Sequence, residues 1–195
     1  MPCLACARPD GPICITCAGA LRPAPARALG AGVVARAAWS HGGTGRRLVQ
    51  RLKYDGVTAV VAVAVSAVGS PPANGHVLVP IPRVLVRRVA YGVDPARQFA
   101  EALGEAWDLP VVPALEAPPW APRRAGRRRR PGPPALRAAG PVPGAIVVDD
   151  VITSGSTVRL AAQLVGARHA VALTMAAKSP GTPGGLHTMG GAHHG

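Results

Sequence analysis

Residues 145–165 constrain this chain more than any other stretch. They read AIVVDDVITSGSTVRLAAQLV. The apolar run 145–148 predicts a strand buried on both faces, and the spacing after Thr157 predicts a helix over 157–165. The junction between them carries two adjacent acids and then hydroxyls around a glycine. In an open parallel sheet ligands bind beyond the carboxyl ends of the strands, where a helix that starts there offers unpaired N–H groups. Small residues at Thr153, Ser154, Gly155, Ser156 and Thr157 let the backbone wrap a phosphate, and the hydroxyls add donors. Asp149 and Asp150 would repel that phosphate, but carboxylates accept hydrogen bonds from vicinal sugar hydroxyls and help to hold Mg²⁺. The expected ligand is therefore a ribose 5-phosphate, with its hydroxyls on the acids and its phosphate in the loop. A plainer role, ending a strand and capping a helix, also suits acids. Against it, these are the only two acidic residues from Ala117 onward, in an arginine-rich segment. The loop lacks the lysine of a Walker A motif.

The flanking sequence alternates strand and helix patterns, which predicts an α/β fold with a largely parallel sheet. A helix with Leu48, Val49 and Leu52 on one side is stopped by Gly56. The apolar run 57–68 is too short to cross a bilayer and reads as a buried helix or a strand and turn. A strand covers 76–82, and a helix runs from Asp94, its N-cap, to Trp107, with Pro95 at its first position. LPVVPAL (109–115) reads as a short strand, and another begins at Ala170. Residues 23–28 read as a Pro/Ala linker, 117–134 as a mobile arginine-rich loop and 179–195 as a disordered tail. The main domain is placed at 30–178.

The 195 residues carry a formal charge of +13, which favours polyanionic partners without choosing among them. Arg123, Arg124 and Arg127, Arg128, Arg129 and Arg130 form a dense cationic run that suits either nucleic-acid phosphates or a lid over a polyphosphate. With three Trp, two Tyr and one Phe, the chain shows no platform for stacking bases. No secretory leader is legible, and a cytoplasmic protein without membrane insertion is expected.

All four cysteines lie in residues 1–22, as Cys3-x2-Cys6 and Cys14-x2-Cys17. Two such pairs suit one structural Zn²⁺ held by four thiolates, in a closed site with no catalytic position. Two disulfides are the alternative, disfavoured in a reducing compartment. His41, His76 and His169 are isolated and receive no role.

IVVDDVITSGST resembles the ribose-phosphate signature of the type I phosphoribosyltransferases. Together with the paired Cys-x2-Cys motifs, LKYDG after a Gly-rich turn and VPIPR…RR…YGVDPAR, the chain resembles more narrowly the ComF family, phosphoribosyltransferase-like proteins associated with DNA uptake. The resemblance covers about residues 3 to 178. It implies a type I phosphoribosyltransferase-like fold, phosphoribosyl pyrophosphate with Mg²⁺ as ligand, and a pyrophosphate site at Arg83, Arg87 and Arg88. It also implies contact of Arg127–Arg130 with single-stranded DNA, and competence or recombination proteins as partners. Lys53 and Tyr54 match a family position without a derivable role. Where the family usually has Arg-Gly-aromatic, this chain has Tyr91, Gly92 and Val93. That departure keeps a non-catalytic ligand- and DNA-binding module as the alternative to an enzyme, and no acceptor pocket is legible.

Overall fold

The computed structural model describes residues 1–83, 92–118 and 135–177. Its centre is a five-stranded sheet in the order β1-β2-β7-β6-β3, built from β1 (Ala24–Gly30), β2 (Val33–Ser40), β3 (Val77–Pro80), β6 (Ala145–Ile152) and β7 (His169–Met175). β2, β7, β6 and β3 are mutually parallel and β1 runs antiparallel at one edge. A short antiparallel pair, β4 (Leu115–Glu116) and β5 (Arg137–Ala138), lies apart from it. The fold is thus mixed α/β with a mostly parallel sheet.

Helices cover both faces. α2 (Gly43–Asp55), α3 (Ala59–Val68) and α4 (Pro95–Trp107) pack against one face, where Leu48, Leu52, Val60, Phe99 and Leu103 meet Leu78, Ile146, Val148 and Leu173. α5 (Ser156–Val165) covers the other, placing Val158, Ala161 and Val165 against Val147, Ala170 and Ala172. Because β6 is buried on both sides, Ile146, Val147 and Val148 are all apolar. α2 stops where Gly56 turns left-handed at φ +65°. At α4, Asp94 caps the Arg97 N–H and Pro95 opens the helix.

Several expectations change. Residues 24–30, within and just beyond the expected linker, form the edge strand β1. Its register shifts next to Ala24, Arg27 and Ala28 accommodate Pro25, which an edge tolerates because it leaves no ladder bond missing inside the sheet. LPVVPAL makes an isolated parallel bridge, Leu78 to Val111, and only its last residue, Leu115, enters a strand, β4, since Pro110 and Pro113 supply no N–H groups. The run 57–68 contains the helix α3. The acids lie inside β6 rather than past its end, because β7 pairs alongside as far as Ile152 opposite Met175.

The first 22 residues contain α1 (Ile15–Ala20). They do not stand off from the rest: Cys3, Leu4, Ala5, Cys14 and Cys17 are buried in the same apolar cluster as α2 and α3. Among the described residues no helix is long and apolar enough to cross a membrane.

Candidate functional site

The site begins with unequal neighbours along β6. β7 accompanies it to Ile152, whereas β3 is paired only as far as Pro80 opposite Val148. After one more bond, from the Ile81 N–H to the Val148 carbonyl at 2.8 Å, Pro82 turns the chain away. The two acids that follow Val148 thus lose their neighbour on the β3 side. A cleft of about 210 Å³ opens there, lined by Asp149, Asp150, Arg83, Asp94, Thr157 and Lys53.

The acids differ in their partners. Asp150 Oδ2 accepts from Lys53 Nζ at 2.7 Å, an ion pair whose side chains are 19% and 21% exposed. Asp149 Oδ1 accepts from the Asp150 backbone N–H at 2.8 Å. Burial, and then the charge of Asp150, push the Asp149 carboxyl up to about 7 against the pull of the Asp150 N–H and Lys53. Arg83 lines the same cleft and donates to the Val93 carbonyl at 2.9 Å.

The loop 153–157 wraps a small hollow directly beyond the acids, lined by Asp149 and residues 151–158. Gly155 is left-handed at φ +79°, and a Cβ there would meet Leu29 Cδ2 at 2.8 Å. Ser154 Oγ lies 3.1 Å from Ser156 Oγ. Gly155, the N-cap of α5, offers no side chain, and at the start of the helix the Ser156 N–H donates to Ser154 Oγ at 3.4 Å. Arg27 of β1 secures the loop from below, with Nη2 donating to the Thr153 carbonyl at 2.8 Å and Nη1 to the Ala176 carbonyl at 2.9 Å.

Of the residues marked from sequence, Asp149, Asp150, Arg83 and the 153–157 loop therefore converge on one corner of the sheet. Arg87, Arg88, Arg127, Arg128, Arg129 and Arg130, most of the loop 117–134 and the tail 179–195 lie outside the described residues. Three contributors went unassigned in the sequence. Lys53 supplies the ion pair, and only its place in LKYDG hinted at more than a helix end. Arg27 and Leu29 sit in a segment whose Pro/Ala composition hides a strand.

A second cluster lies in the N-terminal unit. The four Sγ atoms of Cys3, Cys6, Cys14 and Cys17 all lie within 4.8 Å of one another, and Cys6 and Cys14 are 3.6 Å apart. A tetrahedral ion with Zn–S bonds of about 2.3 Å sets its sulfurs about 3.8 Å apart, so the four thiols fit a metal ion such as zinc. Burial pushes the Cys3 thiol up, but N–H groups of Cys14, Ala5 and Cys6 outweigh it and bring the thiol down to about 6. Burial and the neighbouring thiols push Cys17 up to about 12.

The chain matches no protein-family model, and no curated protein matches it.

Proposed function

We propose that the protein is a phosphoribosyltransferase-type protein of ComF character that binds Mg²⁺-phosphoribosyl pyrophosphate or a related ribose phosphate. One observation carries this reading: at the carboxyl edge of a parallel sheet both acids line an open cleft, and Asp149 also borders the small hollow wrapped by the 153–157 loop. A sugar seated on the acids would place its 5-phosphate in the 153–157 hollow and its anomeric substituent toward Arg83. The carboxyl of Asp149, poised near neutrality, matches a group that gives up its proton when hydroxyls or a cation arrive. Mg²⁺, held by the acids directly or through water, would neutralise pyrophosphate as it leaves.

As an enzyme the protein would catalyse one displacement at the anomeric carbon. The C–O bond to pyrophosphate breaks, a C–N bond to the acceptor forms, and the acceptor's N–H proton is released. Its residues do this by positioning and charge stabilisation rather than covalent chemistry. The cysteine cluster would hold a structural Zn²⁺ whose thiolates leave no open coordination position.

The ion pair between Lys53 and Asp150 favours a second reading, because it satisfies one acid without any ligand. In that reading the pocket anchors a sugar phosphate without turnover, and the arginine-rich segments contact single-stranded DNA or competence and recombination partners.

Calorimetry against phosphoribosyl pyrophosphate with Mg²⁺, repeated on the Asp149→Asn/Asp150→Asn double variant, tests the common core of both. Binding lost in the double variant is expected, and binding unchanged by it overturns the site. Pyrophosphate release in the presence of candidate bases then separates the enzyme from the module.

A further inference from the structure

The ion pair of Lys53 and Asp150 has a hollow on each side. On the β3 side is the Arg83 cleft. On the side of β7 and β2 lies a second hollow of about 360 Å³, lined by His41, Arg46, Val49, Gln50 and Thr153, and sharing with the first only Lys53, Tyr54 and Asp150. We propose that this second hollow seats the second substrate, a ring-sized nitrogen heterocycle carrying a carboxylate. The inference rests on the ribose-phosphate reading above and assigns the acceptor that reading leaves open.

Position is the first argument. A displacement at a sugar carbon needs the entering and leaving groups on opposite sides of that carbon. With the sugar on Asp149 and Asp150, the leaving anion lies toward Arg83 on the β3 side. The entering group must then approach from the flank of β6 that faces β7 and β2, where His41 follows the end of β2.

Size and chemistry narrow the occupant. A hollow of this volume sits near the lower end of small-molecule pockets, about 300–1,000 Å³, and suits one ring with a substituent. Val49 and Val151 offer apolar contact to a ring face. The Arg46 guanidinium makes no hydrogen bond or ion pair among the described residues. Lys53 is already balanced by Asp150, so the hollow carries one uncompensated cation, matched by a single carboxylate. His41 Nδ1 lies 2.8 Å from the buried Thr174 Oγ1, which leaves Nε2 for a ligand. Burial, Lys53 and Arg46 hold the imidazole below its usual range, so it is neutral at pH 7. With Nδ1–H donating to Thr174, Nε2 accepts from a ring N–H, and the Gln50 carboxamide supplies a further donor and acceptor.

The test uses the full chain saturated with ribose 5-phosphate and Mg²⁺. Orotate and nicotinate are titrated against it by calorimetry, beside their uncharged counterparts uracil and nicotinamide. The carboxylated rings should bind about tenfold more tightly than the uncharged ones. Arg46→Ala, a change at an exposed helix position, should abolish that preference while leaving ribose 5-phosphate affinity as it was. Equal binding of charged and uncharged rings, no ring binding at all, or a preference that survives Arg46→Ala overturns the inference while the ribose-phosphate site stands. Failure of ribose 5-phosphate itself to bind, measured first and alone, removes the underlying reading and this inference with it.

Discussion

Asp149 and Asp150 are neighbours in sequence with different electrostatic fates. Asp150 meets the Lys53 ammonium, whereas Asp149 meets mostly protein bulk and the charge of Asp150. The folded chain therefore keeps a proton on Asp149 over the window from 3.8 to about 7, where the unfolded chain has already lost it. The native state binds more protons there, so this residue's contribution to stability falls as pH rises through that window and levels off above it. Asp149→Asn should be more stable than the parent at pH 8, by on the order of 1–2 kcal/mol given the screening an open cleft provides. The advantage should shrink toward pH 4. Urea unfolding at the two pH values measures it, and an equal difference at both would show that Asp149 titrates normally. Lys53→Met removes a cation that lowers the Asp149 carboxyl, so Asp149 should titrate at higher pH still. Carbon-13 NMR of the aspartate carboxyls checks the direction.

At the scale of elements, the hollow wrapped by residues 153–157 depends on a strand that the sequence conceals. β1 lies under the loop: Leu29 fills the space beneath Gly155, Arg159 donates to the Leu29 carbonyl at 3.2 Å, and Arg27 ties down the Thr153 carbonyl. Gly155→Ala meets both a left-handed backbone and Leu29, and should cost about 1–3 kcal/mol and weaken inorganic phosphate binding. Arg27→Ala should weaken phosphate binding without touching the phosphate, with Arg27→Lys restoring part of it. Phosphate titrations of the three variants decide this, and full affinity in Arg27→Ala would make β1 a mere edge. β6 and α5 were legible because apolar runs, a glycine and helical spacing each state their role locally. β1 was not, because its Ala, Pro and Arg residues give no apolar period, and the carbonyls that Arg27 ties down lie 126 and 149 residues away in the chain. The exit of β6 was misjudged for a related reason: how far a strand extends is set by its neighbours, and Asp149 to Ile152 are held as strand by β7.

Across the whole molecule, α2 joins the cysteine cluster to the acid pair. Its Arg47 lines a hollow with Cys6, Arg8 and Cys17, and Leu48 and Leu52 share an apolar cluster with Cys3, Cys14 and Cys17. Six residues beyond Arg47, about 9 Å along the helix, Lys53 reaches Asp150. The sequence placed a small four-cysteine unit at residues 1–22, and this packing makes the cluster one support of the helix that sets the Lys53 ammonium. Four clustered thiols, three of them on buried cysteines, would repel as they ionise without a cation and loosen that support. Stripping metal with a chelator should therefore lower the melting temperature by several degrees and weaken ribose 5-phosphate binding about threefold to tenfold, although no cysteine lines the cleft or the hollow at the acids. Cys17→Ser should reproduce both effects without chelator, and adding Zn²⁺ should restore only the parent chain. If the melting temperature falls while the affinity holds, α2 transmits nothing and the unit serves stability alone, since loss of packing by itself predicts the first change and not the second.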